Sequence, residues 1–216
     1  MTSVKKWGCP ITNIAKIAEP ASASPVLSAQ PSGWVGRFAG LMPAGLVLDL
    51  ACGSGRHVPL ITGLGHPLLA VDRDLAALAI IQAAGHAALQ TLQFDLESEQ
   101  AAQHPDWPFA PARFAGIVVT NYLHRPLFDA MLASLAPGGV LIAETFADGN
   151  GLFGKPSNPA FLLQPGELLA LAQRASDLRV LAFEDGYVAA PKPAMVQRIC
   201  LRKADGQARY QQLQLD

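Results

Sequence analysis

The sequence predicts an α/β fold, a doubly wound sheet of seven strands that is mostly parallel and ends in an antiparallel hairpin. Three observations carry this expectation. Apolar runs alternate with helix-like segments from Pro31 onward. The first five runs are continuously apolar, as strands covered on both faces are. The last two are joined only by residues 188–194, too short for a crossover helix, so they pair as a hairpin.

The first strand spans 46–50 and contains Asp49. It runs into Ala51-Cys52-Gly53-Ser54-Gly55, a glycine turn that lets backbone N–H groups approach a ligand, and then into a helix over 55–63. The second strand, 68–71, is followed by Asp72, Arg73 and Asp74, the last placed to cap a helix over 74–84. The third, 89–94, precedes Asp95, Leu96 and a helix over 97–103. The fourth, 116–120, leads into Asn121-Tyr122-Leu123-His124-Arg125-Pro126, and Pro126 suits the first turn of a helix over 126–135. The turn Pro137-Gly138-Gly139 introduces the fifth strand, 140–145. A helix over 165–172 and the hairpin strands 179–187 and 195–201 complete the chain, with Pro191 and Pro193 making the hairpin connection irregular. Residues 19–32 are rich in Pro, Ala and Ser, so 1–30 reads as a flexible arm and 31–216 as one domain. Just before the first strand, Trp34 either packs on the sheet as part of a surface helix or folds over the crevice.

Ligands of open α/β sheets bind beyond the carboxyl ends of the strands, and a distinctive group follows each of the first four. Asp49 precedes the glycines, where its charge would repel a pyrophosphate but suits a ligand carrying an ammonium and a sulfonium. Asp72 can accept both ribose hydroxyls, and Asp95 can accept from an adenine amino group. Tyr122 and His124, beside Asn121, are the candidates for chemistry on an acceptor; with Arg125 they suit a small polar or anionic molecule. Val58 stands where a dinucleotide-binding fingerprint needs its third glycine or alanine. Gly149 to Lys155 nearly spells a phosphate loop, but Pro156 replaces the hydroxyl that would hold magnesium, so this stretch reads as a loop over the edge of the site.

Together these residues resemble motif I and the later motifs of the class I S-adenosylmethionine-dependent methyltransferases, a family with a Rossmann-like fold. The resemblance covers residues 46–144 well and the remainder by topology. It implies that Asp49 and the Gly53–Gly55 turn face the methionine part of S-adenosylmethionine, Asp72 the ribose, and Asp95 with Leu96 the adenine, with Asn121 near the sulfonium and with Ala51 and Arg73 also among the cofactor-binding residues. Ala51 stands where many members have the first of three glycines, and little loss is expected from it. The implied activity is methyl transfer from S-adenosylmethionine to an unidentified acceptor, read as a small molecule. The alternatives are an S-adenosylmethionine-binding scaffold and an enzyme directed at RNA or protein. Asn121-Tyr122-Leu123-His124 lacks the Pro-Pro of the amino-directed nucleic-acid enzymes.

Composition narrows the partners. The chain of 216 residues has a net charge of −1 and no run of Lys or Arg longer than two, so charge gives no support to a nucleic-acid partner. Cys9, Cys52 and Cys200 form no C-x-x-C pair, so no metal site is expected and a reducing, cytoplasmic compartment fits. The N-terminus lacks the apolar core of a signal peptide, and no uncharged apolar stretch reaches the roughly 18 residues of a spanning helix. No membrane role is expected, and the sequence does not address oligomeric state.

Overall fold

Strands β1 (Val47–Leu50), β2 (Leu68–Asp72), β3 (Leu89–Gln93), β4 (Phe114–Thr120), β5 (Leu135–Phe146), β6 (Leu178–Val188) and β7 (Ala194–Lys203) form a seven-stranded sheet. Its order is β3-β2-β1-β4-β5-β7-β6 in the computed structural model, which describes residues 30–97 and 107–205. Strands β1 to β5 are parallel, and β7 is antiparallel to both β5 and β6. The expected doubly wound sheet with its terminal hairpin is therefore present. The arm over 1–30, except its last residue, and most of the helix expected over 97–103 lie outside the described residues, as do Cys9 and His104.

Two apolar layers cover the sheet. On one face α1 (Gly33–Phe38), α2 (Val58–Gly63) and α3 (Leu75–Ala83) bury Val35, Phe38, Ile61, Leu78 and Ile81 against Val47, Val118 and Ile142. On the other, α4 (Phe128–Ser134) and α5 (Glu167–Ala172) bury Met131, Leu132, Leu168 and Leu171 against Leu48, Leu50, Ile117 and Leu141. The period of two along each strand sends neighbouring residues to opposite layers, and burial on both sides accounts for the continuous apolar runs. Among the described residues no helix is long and apolar enough to cross a membrane.

Element boundaries moved where backbone chemistry outweighs apolar pattern. The second helix starts at Val58 rather than at residue 55, because Gly55 has φ +80° and cannot be helical. Strand β5 begins at Leu135, which pairs with Phe114 before the Pro137-Gly138-Gly139 turn, and α4 ends one residue earlier at Ser134. Trp34 packs on the sheet, 4% exposed, donating its indole N–H to the Ile199 carbonyl at 3.2 Å and meeting Phe38 edge-on. It does not stand over the crevice.

Candidate functional site

The chain leaves β1 toward β2 on one side and returns as β4 on the other, so the carboxyl ends of β1 and β4 flank a topological switch point. Register aligns Leu50 with Val71 and Val119, and Val119 with Ala143. One rung further out come Asp72, Thr120 and Glu144, with Asp49 two rungs inward of Asp72.

The glycine loop divides its labour. Gly53 has φ +53°, and a Cβ built there would meet nothing within 4 Å. Its backbone faces open space and donates to Asp72 Oδ2 at 2.8 Å. Gly55 faces inward instead, because a Cβ there would lie 2.7 Å from Ile81 Cγ1 of α3. Gly55 therefore seats the loop on the helix layer, and Gly53 keeps the ligand side clear. Ala51 has φ +52°, a left-handed conformation that costs an L-residue roughly 1–2 kcal/mol. The expectation of little loss at this position is corrected: alanine fits sterically but carries backbone strain that glycine would not.

Asp72 braces this loop. Oδ2 accepts from Gly53 N and Oδ1 from Asp74 N at 3.0 Å. A carboxylate has about four acceptor positions, so each oxygen keeps one for a ligand hydroxyl. Arg73 is exposed beside it. Asp95 is exposed, with Oδ1 accepting from Glu97 N at 2.9 Å. Leu96 is 6% exposed with its side chain in the hydrophobic layer, so only its backbone is available to a ligand. Asn121 has φ +56°, a conformation asparagine tolerates, and donates its N–H to the Glu144 carbonyl at 2.8 Å.

Tyr122 and His124 both line a narrow hollow between the strand ends and α4 and α5, together with Leu50, Phe128, Met131 and Thr145. The hollow holds about 20 Å³, room for roughly one water molecule. The Tyr122 hydroxyl is buried, with the Glu97 carboxylate as its polar neighbour. Burial, then the Glu97 carboxylate, then that of Asp95, push its ionisation far above the ordinary range, with Arg73 opposing. That tip therefore lies toward the groups that follow β2 and β3, not toward Arg125.

Arg125 is already engaged. Its Nε and Nη2 donate to both Glu167 oxygens at 2.6 and 2.9 Å, and Nη1 and Nη2 donate to the carbonyls of Ala160 and Leu162. It clamps the segment after β5 onto the β4–α4 connection, its charge met by Glu167, where the expectation was a cation held for the acceptor. The loop 148–159 also leaves the hollow unlined. Asn150, 1% exposed, donates to the Pro156 carbonyl and accepts from Met195 N, fastening that loop to β7.

Sequence reasoning missed a buried polar cluster beneath the loop. Asp49 and His57 are each 1% exposed, with Asp49 Oδ2 and His57 Nδ1 3.5 Å apart and neither hydrogen-bonded. His57 Nε2 accepts from Ser32 N at 3.4 Å, and Ser32 Oγ donates to Glu144 Oε1 at 3.1 Å. Glu144 Oε2 contacts Arg198 Nε at 2.6 Å, though the N–H is not aligned on the oxygen. Arg56, on the same glycine loop, has a buried Nη2 without a partner. The signal available in sequence was His57 directly after the glycine turn; Ser32, Glu144 and Arg198 come together only through the fold. Cys52, beside these acids, is no nucleophile, since burial and then Asp49 and Asp72 hold its thiol protonated.

No protein-family profile matches the chain. Over 107 residues it is 35% identical to trans-aconitate 2-methyltransferase of Rhizobium meliloti, a match covering 48% of this chain and 39% of that protein's length. Among solved structures it is similar to TehB from Haemophilus influenzae (TM-score 0.64, 19% identity, 80% of this chain and 62% of that one). It is also similar to a 1,6-didemethyltoxoflavin-N1-methyltransferase from Burkholderia thailandensis, solved with S-adenosylhomocysteine (TM-score 0.55, 21% identity, 80% and 76%). An S-adenosylmethionine-dependent methyltransferase from Mesorhizobium loti gives TM-score 0.59 at 16% identity, covering 77% and 95%. The fold is that of the class I S-adenosylmethionine-dependent methyltransferases.

Proposed function

We propose that this chain binds S-adenosylmethionine at the glycine loop and transfers its methyl group to a small-molecule acceptor. The observation that carries this reading is the buried Asp49 carboxylate, whose Oδ2 has no hydrogen-bond partner, at the base of a loop left open at Gly53. A buried acceptor without a donor is expensive, and a cationic ligand resolves it. A pyrophosphate there would meet a like charge, which argues against a nicotinamide cofactor. The remaining groups fit the rest of the molecule: Asp72 offers two acceptor positions to a ribose, Asp95 and the Leu96 backbone face an adenine, and Asn121 lies toward the sulfonium.

When bound, S-adenosylmethionine supplies a methyl carbon already activated by its sulfonium. What the protein must then do is align a nucleophile in line with that carbon and exclude water. The hollow at the strand ends suits this role, with apolar walls of Leu50, Phe128 and Met131 and with His124 able to take a proton if the nucleophile carries one. Its size requires α4 or α5 side chains to move before an acceptor enters. The relatives named for trans-aconitate and didemethyltoxoflavin support a small molecule, and the net charge of −1 gives no support to RNA. We place the protein in the cytoplasm, which fits the free, buried Cys52 and Cys200.

The test is incubation of the full chain with methyl-labelled S-adenosylmethionine and separate pools of small molecules, RNA and protein. Label entering a small molecule supports the reading. Label entering only RNA or protein would overturn the acceptor class, and S-adenosylhomocysteine binding without transfer in any pool would favour the scaffold alternative.

A further inference from the structure

Beside Asp49, which the reading above assigns to the ligand, stand His57 and Ser32, which have no part in the chemistry above. His57 Nε2 accepts a hydrogen bond from Ser32 N–H. A neutral imidazole that accepts at one nitrogen carries its proton on the other, which here is Nδ1, facing Asp49 Oδ2. At 3.5 Å and with both atoms buried, that donor and acceptor stand just short of a hydrogen bond. Ser32 is held on three further sides: its Oγ donates to Glu144 and accepts from Trp34 N, and its carbonyl accepts from Gly36 N. The imidazole is thus wedged between the anchored start of α1 and the Asp49 carboxylate.

Resting on the S-adenosylmethionine reading, we propose that His57 is a positioning residue for the amino-acid end of the cofactor. Backed by the Ser32 N–H, its Nδ1–H holds the Asp49 carboxylate turned toward the ligand ammonium. Affinity for the methionine part then depends on α1, although no residue of α1 touches it. Ribose and adenine recognition, which belongs to Asp72 and Asp95, is independent of this wedge.

The experiment uses the full chain and two probes, S-adenosylhomocysteine, which has the amino-acid end, and 5′-deoxy-5′-methylthioadenosine, which lacks it. Calorimetry on His57→Leu should show the first weakened about tenfold and the second within about twofold, on the scale of one hydrogen bond to a charged group. His57→Asn keeps an N–H near the position of Nδ1 and should recover most of the loss. A second pair removes only the backing contact. Ser32→Ala and Ser32→Pro both lack Oγ, but proline also lacks the N–H, and the Ser32 φ of −56° suits it. Proline should weaken S-adenosylhomocysteine beyond alanine and leave the truncated probe unchanged. Equal weakening of both probes would mean a merely structural role and overturn the proposal, as would unchanged binding of both. Failure of the wild type to bind S-adenosylhomocysteine would overturn the cofactor reading, and this inference with it.

Discussion

Substituting alanine for Gly53 and for Gly55 separates the two demands on the glycine loop. Both residues have positive φ, so each alanine incurs the left-handed penalty of about 1–2 kcal/mol. At Gly53 nothing adds to it, since the new Cβ meets no atom within 4 Å. At Gly55 the Cβ lies 2.7 Å from Ile81 Cγ1 and 3.0 Å from Val58 Cγ2, both in the packed helix layer. Overpacking of that kind costs a further 1–3 kcal/mol or so, giving about 2–5 kcal/mol in all. In a chain of this length, 1 kcal/mol moves Tm by about 2–4 °C. Gly53→Ala should therefore melt about 2–8 °C below wild type and Gly55→Ala about 4–20 °C below. Binding should rank the other way in folded protein: Gly53→Ala, with its methyl in the ligand's space, should lose most affinity for S-adenosylhomocysteine. Thermal melts with calorimetry below the transition measure both. Equal Tm losses, or retained affinity in Gly53→Ala, would refute the division of roles.

Four further outcomes are expected. Asp72→Ala should lose about 2–4 kcal/mol of S-adenosylhomocysteine binding by calorimetry and also lower Tm, because the carboxylate holds Gly53 N and Asp74 N as well as facing the ligand. Ala51→Gly should raise Tm by about 1–4 °C, the relief of left-handed strain outweighing the unfolded-state entropy that glycine adds. Arg125→Lys should lower Tm while leaving S-adenosylhomocysteine affinity unchanged, since a lysine cannot reproduce the two-pronged contact with Glu167. Burial raises the Glu167 carboxyl, but the Arg125 hydrogen bond and Gln164 N–H outweigh it and hold it below its ordinary 4.5. A depressed folded-state value contributes stability present above the unfolded value and lost as pH falls through the folded one. The Tm advantage of wild type over Glu167→Gln should accordingly be full near neutrality and shrink as pH falls below 4.5.

The fold and the glycine loop were legible in the sequence because both rest on local chemistry. Strands buried on two faces read as unbroken apolar runs, and positive φ at Gly53 and Gly55 requires glycine whatever surrounds them. Asp49, Asp72 and Asp95 stand out in sequence for the same reason, each directly after or within such a run. The acceptor side was not legible, since it depends on which distant residues meet. Nothing near Arg125 in sequence announces that Glu167 and two carbonyls will occupy it, 35 to 42 residues away. Nor does Ser32 announce that it will reach both His57 and Glu144. Ala51 was misjudged because its size was weighed and its backbone angle could not be read.

Titration of S-adenosylhomocysteine into the wild-type chain, with NAD as the comparison ligand, tests the central claim most directly. The open loop at Gly53 over the unpartnered Asp49 oxygen predicts saturable binding of S-adenosylhomocysteine at one site, lost in Asp72→Ala, and no heat from NAD. Saturable binding of NAD, with none of S-adenosylhomocysteine, would contradict it.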